Sequence, residues 1–153
     1  MTVSTSKNMV LSQTLKLVRQ RRGLKATEVA RRMGLPLRTY SLFESGRTRL
    51  DVERIALFAT VTDSDAHAIL TAVAIGAPHF AARCMDNKLM AILIAGVQRF
   101  DERLGDDLAR IEVARYIAAV RAMFDDLQAS LARQDQDLAA WLQKPGPDRP
   151  ENA

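Results

Sequence analysis

Apolar residues recur every three or four positions through most of the chain, and glycines at 23, 34, 46, 76 and 105 punctuate the rhythm. That period belongs to helical faces, whereas strands alternate, and runs of alternating Val, Ile, Thr and Tyr are absent. Val10 or Leu11, with Leu15 and Val18, predicts a first helix from about Met9 to Arg22, closed by Gly23. A second, from about Ala26 to Met33, carries Val29, Ala30 and Met33 on one face and ends at Gly34. Leu35 is a turn residue suited to plugging the core, and Pro36 suits the first turn of a third helix running to about Glu44. Tyr40 and Phe43 face inward there. A fourth helix, about Asp51 to Thr60, presents Val52, Ile55, Ala56 and Ala59. A fifth, about Asp65 to Ile75, presents Ala66, Ile69, Leu70 and Val73, with Asp63 or Ser64 as its cap.

Gly76-Ala77-Pro78 reads as a domain boundary. Two long helical stretches are expected beyond it, Pro78 to Leu104 and Asp106 to Leu142. The second would be about 55 Å long at the usual rise per residue. Within it Val113, Ile117, Val120, Phe124, Leu127 and Leu131 are spaced four, three, four, three and four apart, the a/d seam of a coiled coil or helical bundle. Pro145, Pro147 and Pro150 stop any helix, so residues 145–153 are expected to be a disordered tail. The expected organisation is all-α: a flexible 1–8, a five-helix domain at 9–76, a helical packing or dimerisation region at 77–144, and the tail.

Composition agrees with helices, since Ala and Leu dominate and aromatics are 5%. Charge changes the picture more. Residues 1–50 hold 11 Lys or Arg against two acids, Glu28 and Glu44, a balance of +9. The remaining residues hold 11 bases against 16 acids, a balance of −5. A basic half whose charges sit among periodic apolar positions is a folded unit suited to phosphate. The most apolar stretch, Leu89 to Val97, falls far short of the roughly 20 residues a membrane span needs. Met1 to Asn8 lacks the apolar core of a signal peptide. The expectation is a soluble, cytoplasmic and nucleoid-associated chain with no membrane partner.

Two helices joined by a tight turn at Gly34 make a helix-turn-helix pattern, in which one helix crosses the DNA backbone and the next enters the groove. Across about residues 9–75 the sequence resembles the Cro/CI-type, or XRE, helix-turn-helix family. Arg19, Gly23-Leu24, Glu28-Val29-Ala30, Met33-Gly34-Leu35, Tyr40, Phe43-Glu44 and Gly46 carry the likeness, with Ile55, Ala56 and Ala59 of the fourth helix. The resemblance implies a transcription regulator bound to double-stranded DNA. It puts base-reading positions at Leu37, Arg38 and Leu42, with Ser41 able to reach a base edge. Backbone contacts would come from Lys25, Ala26, Thr27, Thr39, Arg47, Thr48 and Arg49. Arg38 suits the O6 and N7 acceptors of guanine. Arg19 and Glu44 would form a structural ion pair between the first and third helices. The sequence departs from the family at Ala26, where Gln is common, and at Leu37 and Leu42, where polar residues are common. Leucines can pack on thymine methyl groups but cannot hydrogen-bond to bases.

The seam Val113, Ile117, Val120, Phe124, Leu127 and Leu131 is too apolar to stand bare, and a homodimer would cover it. Packing on the N-terminal domain in a monomer is the alternative. The acids Asp101, Glu102, Asp125 and Asp126 offer a weaker route to RNA polymerase or another regulator. A second reading makes the C-terminal helices the main function, as a protein-interaction module in an activator, co-regulator or antitoxin-like protein. Arg21-Arg22 and Arg31-Arg32 read equally well as solvated faces. His67, His79 and the lone Cys84 lack metal-ligand spacing, and no nucleophile–base set or phosphate loop occurs, so neither an enzyme nor a cofactor is expected.

Overall fold

The computed structural model describes residues 2–143, with side chains from Ser6 on. The expected tail at 145–153 lies outside the described residues. The elements are α1 (Thr2–Arg21), α2 (Ala26–Arg32), α3 (Leu37–Glu44), α4 (Val52–Val61), α5 (Ala66–Ile75), α6 (His79–Cys84), α7 (Leu89–Leu104), a 3-10 helix (Gly105–Arg110) and α8 (Val113–Gln143). No strand occurs among the described residues. The fold is all-α, and it divides into two compact units, one running to Arg103 and one from Leu104 on.

In the first unit, α1 is the central post. Leu11, Leu15 and Val18 lie along one of its faces, and all are buried. Val29, Ala30 and Met33 of α2, Tyr40 and Phe43 of α3, and Ile55, Phe58 and Ala59 of α4 join them in one cluster. Phe43 bridges two aromatic neighbours, 6.2 Å from the Tyr40 ring centroid and 6.1 Å, edge-on, from that of Phe58. Such pairs add to what area burial alone contributes.

The short helices are held to length by their ends. At the α2–α3 turn, Leu35 N–H donates to Ala30 O at 2.9 Å and Gly34 N–H to Arg31 O at 3.0 Å. Gly34 sits at φ 67° between them, a helix stop that a left-handed residue makes possible. Gly46 closes α3 in the same way, but with less room. A Cβ built there would meet the Asn8 carbonyl oxygen of α1 at 2.4 Å, whereas one at Gly34 meets nothing within 4 Å. Gly34→Ala should therefore cost only the left-handed backbone term, about 1–2 kcal/mol. Gly46→Ala should cost about 2–3 kcal/mol, because the α1 backbone must also move. Thermal melts of the two variants, read side by side, would contradict this ordering if they coincided.

Several boundaries differ from those the sequence pattern predicts. α1 starts at Thr2 rather than near Met9. On α4 the inward face is Ile55, Phe58 and Ala59, while Val52 and Ala56 are exposed, because Phe58 supplies the bulk that reaches Phe43. On α5 Ala68, Ile69, Ala72 and Val73 are buried. Its cap is Asp65, not Asp63 or Ser64.

The chain does not leave the core at Gly76. α6 packs on α1 and α5 and buries Ala81, Cys84 and Met85 in the same cluster. The long stretch expected from Pro78 is broken at Asp86-Asn87-Lys88, where Lys88 takes φ 54° and the Asn87 carboxamide oxygen accepts from Leu89 N–H. Lys88 is held there because its ammonium donates to the Asp63 and Ser64 carbonyls, at 3.2 and 3.3 Å.

In the second unit, Gly105 opens a 3-10 helix in which Arg110 pairs with Asp107 at 2.9 Å. α8 follows at Val113, later than the expected start at Asp106. The Tyr116 hydroxyl donates back to Leu108 O at 3.2 Å, tying the first turn of α8 to that helix. No helix among the described residues is long and apolar enough to cross a membrane.

Candidate nucleic-acid interface

Two requirements shape α3: it must be anchored on its inner side and bare on its outer side. Tyr40 and Phe43 do the first by burial, and Glu44 does it by charge. The Glu44 carboxylate, almost fully buried, accepts from Arg19 Nε on one oxygen and from Arg19 Nη2 at 3.3 Å on the other. The Tyr40 hydroxyl donates to it as well, at 2.8 Å. Arg19 Nη1 donates to Leu24 O at 3.0 Å, so its fork also fixes the loop between α1 and α2. The hydrogen bond to Glu44 raises the Arg19 pKa above its ordinary value, against the pull of burial. Burial and the hydrogen bond to Glu44 push the Tyr40 phenol upward, so it remains a donor.

On the outer side Leu37, Arg38, Ser41 and Leu42 are all exposed and share one side of the helix. Leu37 is 46% and Leu42 39% exposed, so neither is a disguised core residue. Thr39 is half-buried at the edge of this face. Lys25 precedes α2 as its N-cap residue, followed by half-buried Ala26 and exposed Thr27. Arg47, Thr48 and Arg49 occupy the loop after α3, with both arginines exposed and Thr48 half-buried. Asp51 closes that loop by capping α4, accepting from Arg54 N–H at 3.1 Å.

Two populations stand out within the basic surplus. Arg19, Arg22 and Arg32 are spent inside the molecule. Arg22 donates to Thr62 O at 2.9 Å and pairs with Asp86 at 2.8 Å. Arg32 pairs with Glu28 at 2.7 Å. Lys25, Arg38, Arg47 and Arg49 make no ion pair among the described residues. Sequence reading gave Arg22 and Arg32 no structural role, since their acceptors are carbonyls of the α4–α5 turn and α4, remote along the chain.

Sequence reading also missed Asp65. One of its carboxylate oxygens accepts from His67 and Ala68 N–H, at 2.9 and 3.2 Å, which caps α5. The other accepts from Ala91 N–H at 2.9 Å, in the first turn of α7. Its position directly before an apolar helix was the available signal for the first role; nothing local signals the second.

The six seam residues of α8, Val113 to Leu131, are between 46% and 73% exposed. No group of His, Cys, Asp or Glu among the described residues could hold a metal ion.

Residues 10–70 match the family model described as a helix-turn-helix domain, a segment that contains α2, the Gly34 turn, α3 and the Arg19–Glu44 pair. No curated protein and no solved structure matches the chain.

Proposed function

We propose that the protein is a sequence-specific DNA-binding transcription regulator that places α3 in the major groove, a reading supported by the match of residues 10–70 to a helix-turn-helix model and consistent with Cro/CI-type regulators. The observation that carries this reading is the division of its arginines. Arg19, Arg22 and Arg32 are satisfied internally, while Arg38 on the outer face of α3 and Lys25, Arg47 and Arg49 around it are exposed and, like Arg21 at the end of α1, make no ion pair among the described residues. In this reading Arg38 reads guanine through its bidentate fork, Ser41 reaches a base edge, and Leu37 and Leu42 pack against thymine methyl groups. Lys25, Ala26, Thr27, Thr39, Arg47, Thr48 and Arg49 hold phosphates and set the register. The protein acts as a homodimer paired through α8, so that two copies address two half-sites.

Selection from a randomised duplex pool, repeated with Arg38→Ala and at two salt concentrations, tests this. One enriched motif is expected. Arg38→Ala should weaken its binding about tenfold and relax it at a guanine position. Arg47→Ala should leave the motif intact but lower the slope of log affinity against log salt by about 1.

A second reading is favoured by the same exposed leucines. Leu37 and Leu42, together with exposed Leu50, offer apolar surface to a protein partner instead. No enriched motif, and an Arg38→Ala variant indistinguishable from the parent, would transfer the function to that surface and to the C-terminal helices.

A further inference from the structure

α8 carries its charges unevenly. Its first part, residues 113–124, has Arg115 and Arg121 and no acid. Its remainder, residues 125–143, has Asp125, Asp126, Asp135 and Asp137 against Arg133 alone. The apolar seam also runs further than Leu131. Continuing the same spacing passes through Gln134 to Leu138 and Trp141, both exposed. Ile117, Phe124, Leu131 and Leu138 are then the a positions, and Val120, Leu127, Gln134 and Trp141 the d positions. The positions flanking the seam hold only three charges: Arg121, Asp135 and Asp137.

We infer that the occupant of this face is the α8 of a second copy, running antiparallel. The inference rests on the dimer part of the reading above and adds the direction and register of the pair. A parallel pair sets each seam residue beside its own copy and each flanking e position beside a g position of the second copy. Arg121, Asp135 and Asp137 would then lie beside Tyr116, Ser130 and Leu142, with no flanking charge of opposite sign in reach. An antiparallel pair sets the basic part of one helix along the acidic part of the other. In the register that puts Arg121 beside Asp135 of the second copy, twice by symmetry, every seam layer from 117 to 141 is filled. Ile117 meets Trp141, Val120 meets Leu138, Phe124 meets Gln134 and Leu127 meets Leu131. Shifting by one heptad in either direction loses the Arg121–Asp135 pairing and leaves layers unmatched. Gln134 is the single polar residue in the seam, the kind of position that fixes register at some loss of stability. Opposite the broad Phe124 ring, its carboxamide still reaches water at the edge. The interface is isologous and closes on itself, so it yields a dimer rather than a filament. Over the 31 residues of α8, the N-terminal ends of the two helices lie about 45 Å apart.

Full-length Val120→Cys and Leu138→Cys variants test the direction. Cys84 stays in place, since it is buried, and the parent protein is the control. Antiparallel pairing predicts a disulfide-linked dimer only when the two variants are mixed, because positions 120 and 138 meet each other and not themselves. Cross-linking of each variant alone overturns the direction. The unmodified chain gives a second measurement through Trp141, its only tryptophan. Its emission should shift to the blue as concentration rises and sedimentation passes from monomer to dimer. A chain that sediments as a monomer at about 100 μM, or shows no cross-link in any mixture, overturns the pairing itself. The DNA reading fails separately: a monomer that still selects one asymmetric motif keeps the regulator and loses the pair. A dimer that selects no motif does the reverse.

Discussion

Glu44→Ala is expected to lower the stability of the N-terminal unit by about 3–5 kcal/mol, because it strands the partly buried Arg19 guanidinium and removes the acceptor of the Tyr40 hydroxyl. At about 4–8 °C per kcal/mol for a domain of this size, that is a fall in melting temperature of roughly 12 °C or more. The loss is large because three donors from two side chains, Arg19 Nε and Nη2 and the Tyr40 hydroxyl, converge on one carboxylate. Arg19 cannot leave for water without also giving up Leu24 O, which shapes the loop that leads into α2. DNA binding should fall in step with the folded fraction, since α3 loses its charged anchor while its outer face is unchanged. Two comparisons isolate the cause. Glu44→Gln keeps the shape and an acceptor, and should cost less than half as much. The double change Arg19→Met with Glu44→Leu removes both charges and should recover much of the loss, as apolar replacements of buried pairs commonly do. A melt of Glu44→Ala within about 1 kcal/mol of the parent would show that the pair does not hold α1 to α3.

Asp65→Ala is expected to be nearly as damaging, at about 3–4 kcal/mol, although it lies outside the proposed interface. Its carboxylate serves three backbone N–H groups in two helices, and hydrogen bonds to a charged acceptor are stronger than neutral ones. An ordinary helix cap is worth about 1 kcal/mol, so a loss of that size alone would mean the bond to α7 contributes nothing. The two contributions separate by hydrogen exchange. In Asp65→Ala the amides of residues 89–94 in α7 should lose protection first, while those of α1 keep protection near the global value. Asp65→Asn retains one acceptor for α5 and should fall between the parent and the alanine variant. Uniform loss of protection across the unit would instead make Asp65 a simple cap.

All five helix stops predicted from glycine, at 23, 34, 46, 76 and 105, are made by residues at positive φ, because a left-handed residue is a local requirement that one residue type meets. The core stripe of α1 and the inward pair Tyr40 and Phe43 were legible for the same reason: period and side-chain size suffice. The outer face of α3 followed from what those two left over. What escaped was whatever depends on partners remote in sequence. The stop between α4 and α5 uses Asp63 at φ 48° instead of glycine. That conformation is supported by Arg22 and Lys88, each bonded to the Asp63 carbonyl. The same Lys88 breaks α6 from α7 with neither glycine nor proline at the break, so periodicity ran straight through it. On α4, Val52 and Ala56 fit the helical period as well as Phe58 does, and only the position of the Phe43 ring decides between the faces.

Burial of Cys84 gives the molecule a built-in clock. The thiol is 5% exposed on α6, and burial, then the nearby Asp65 carboxylate, raise its pKa above the ordinary value, so little thiolate is present while α6 is docked. A thiol-specific reagent can therefore label it only while α6 stands away from α1 and α5. The slow rate of that labelling counts the openings of this one corner of the fold, and comparing it with the rate of global unfolding ranks how firmly the last helix of the core is latched.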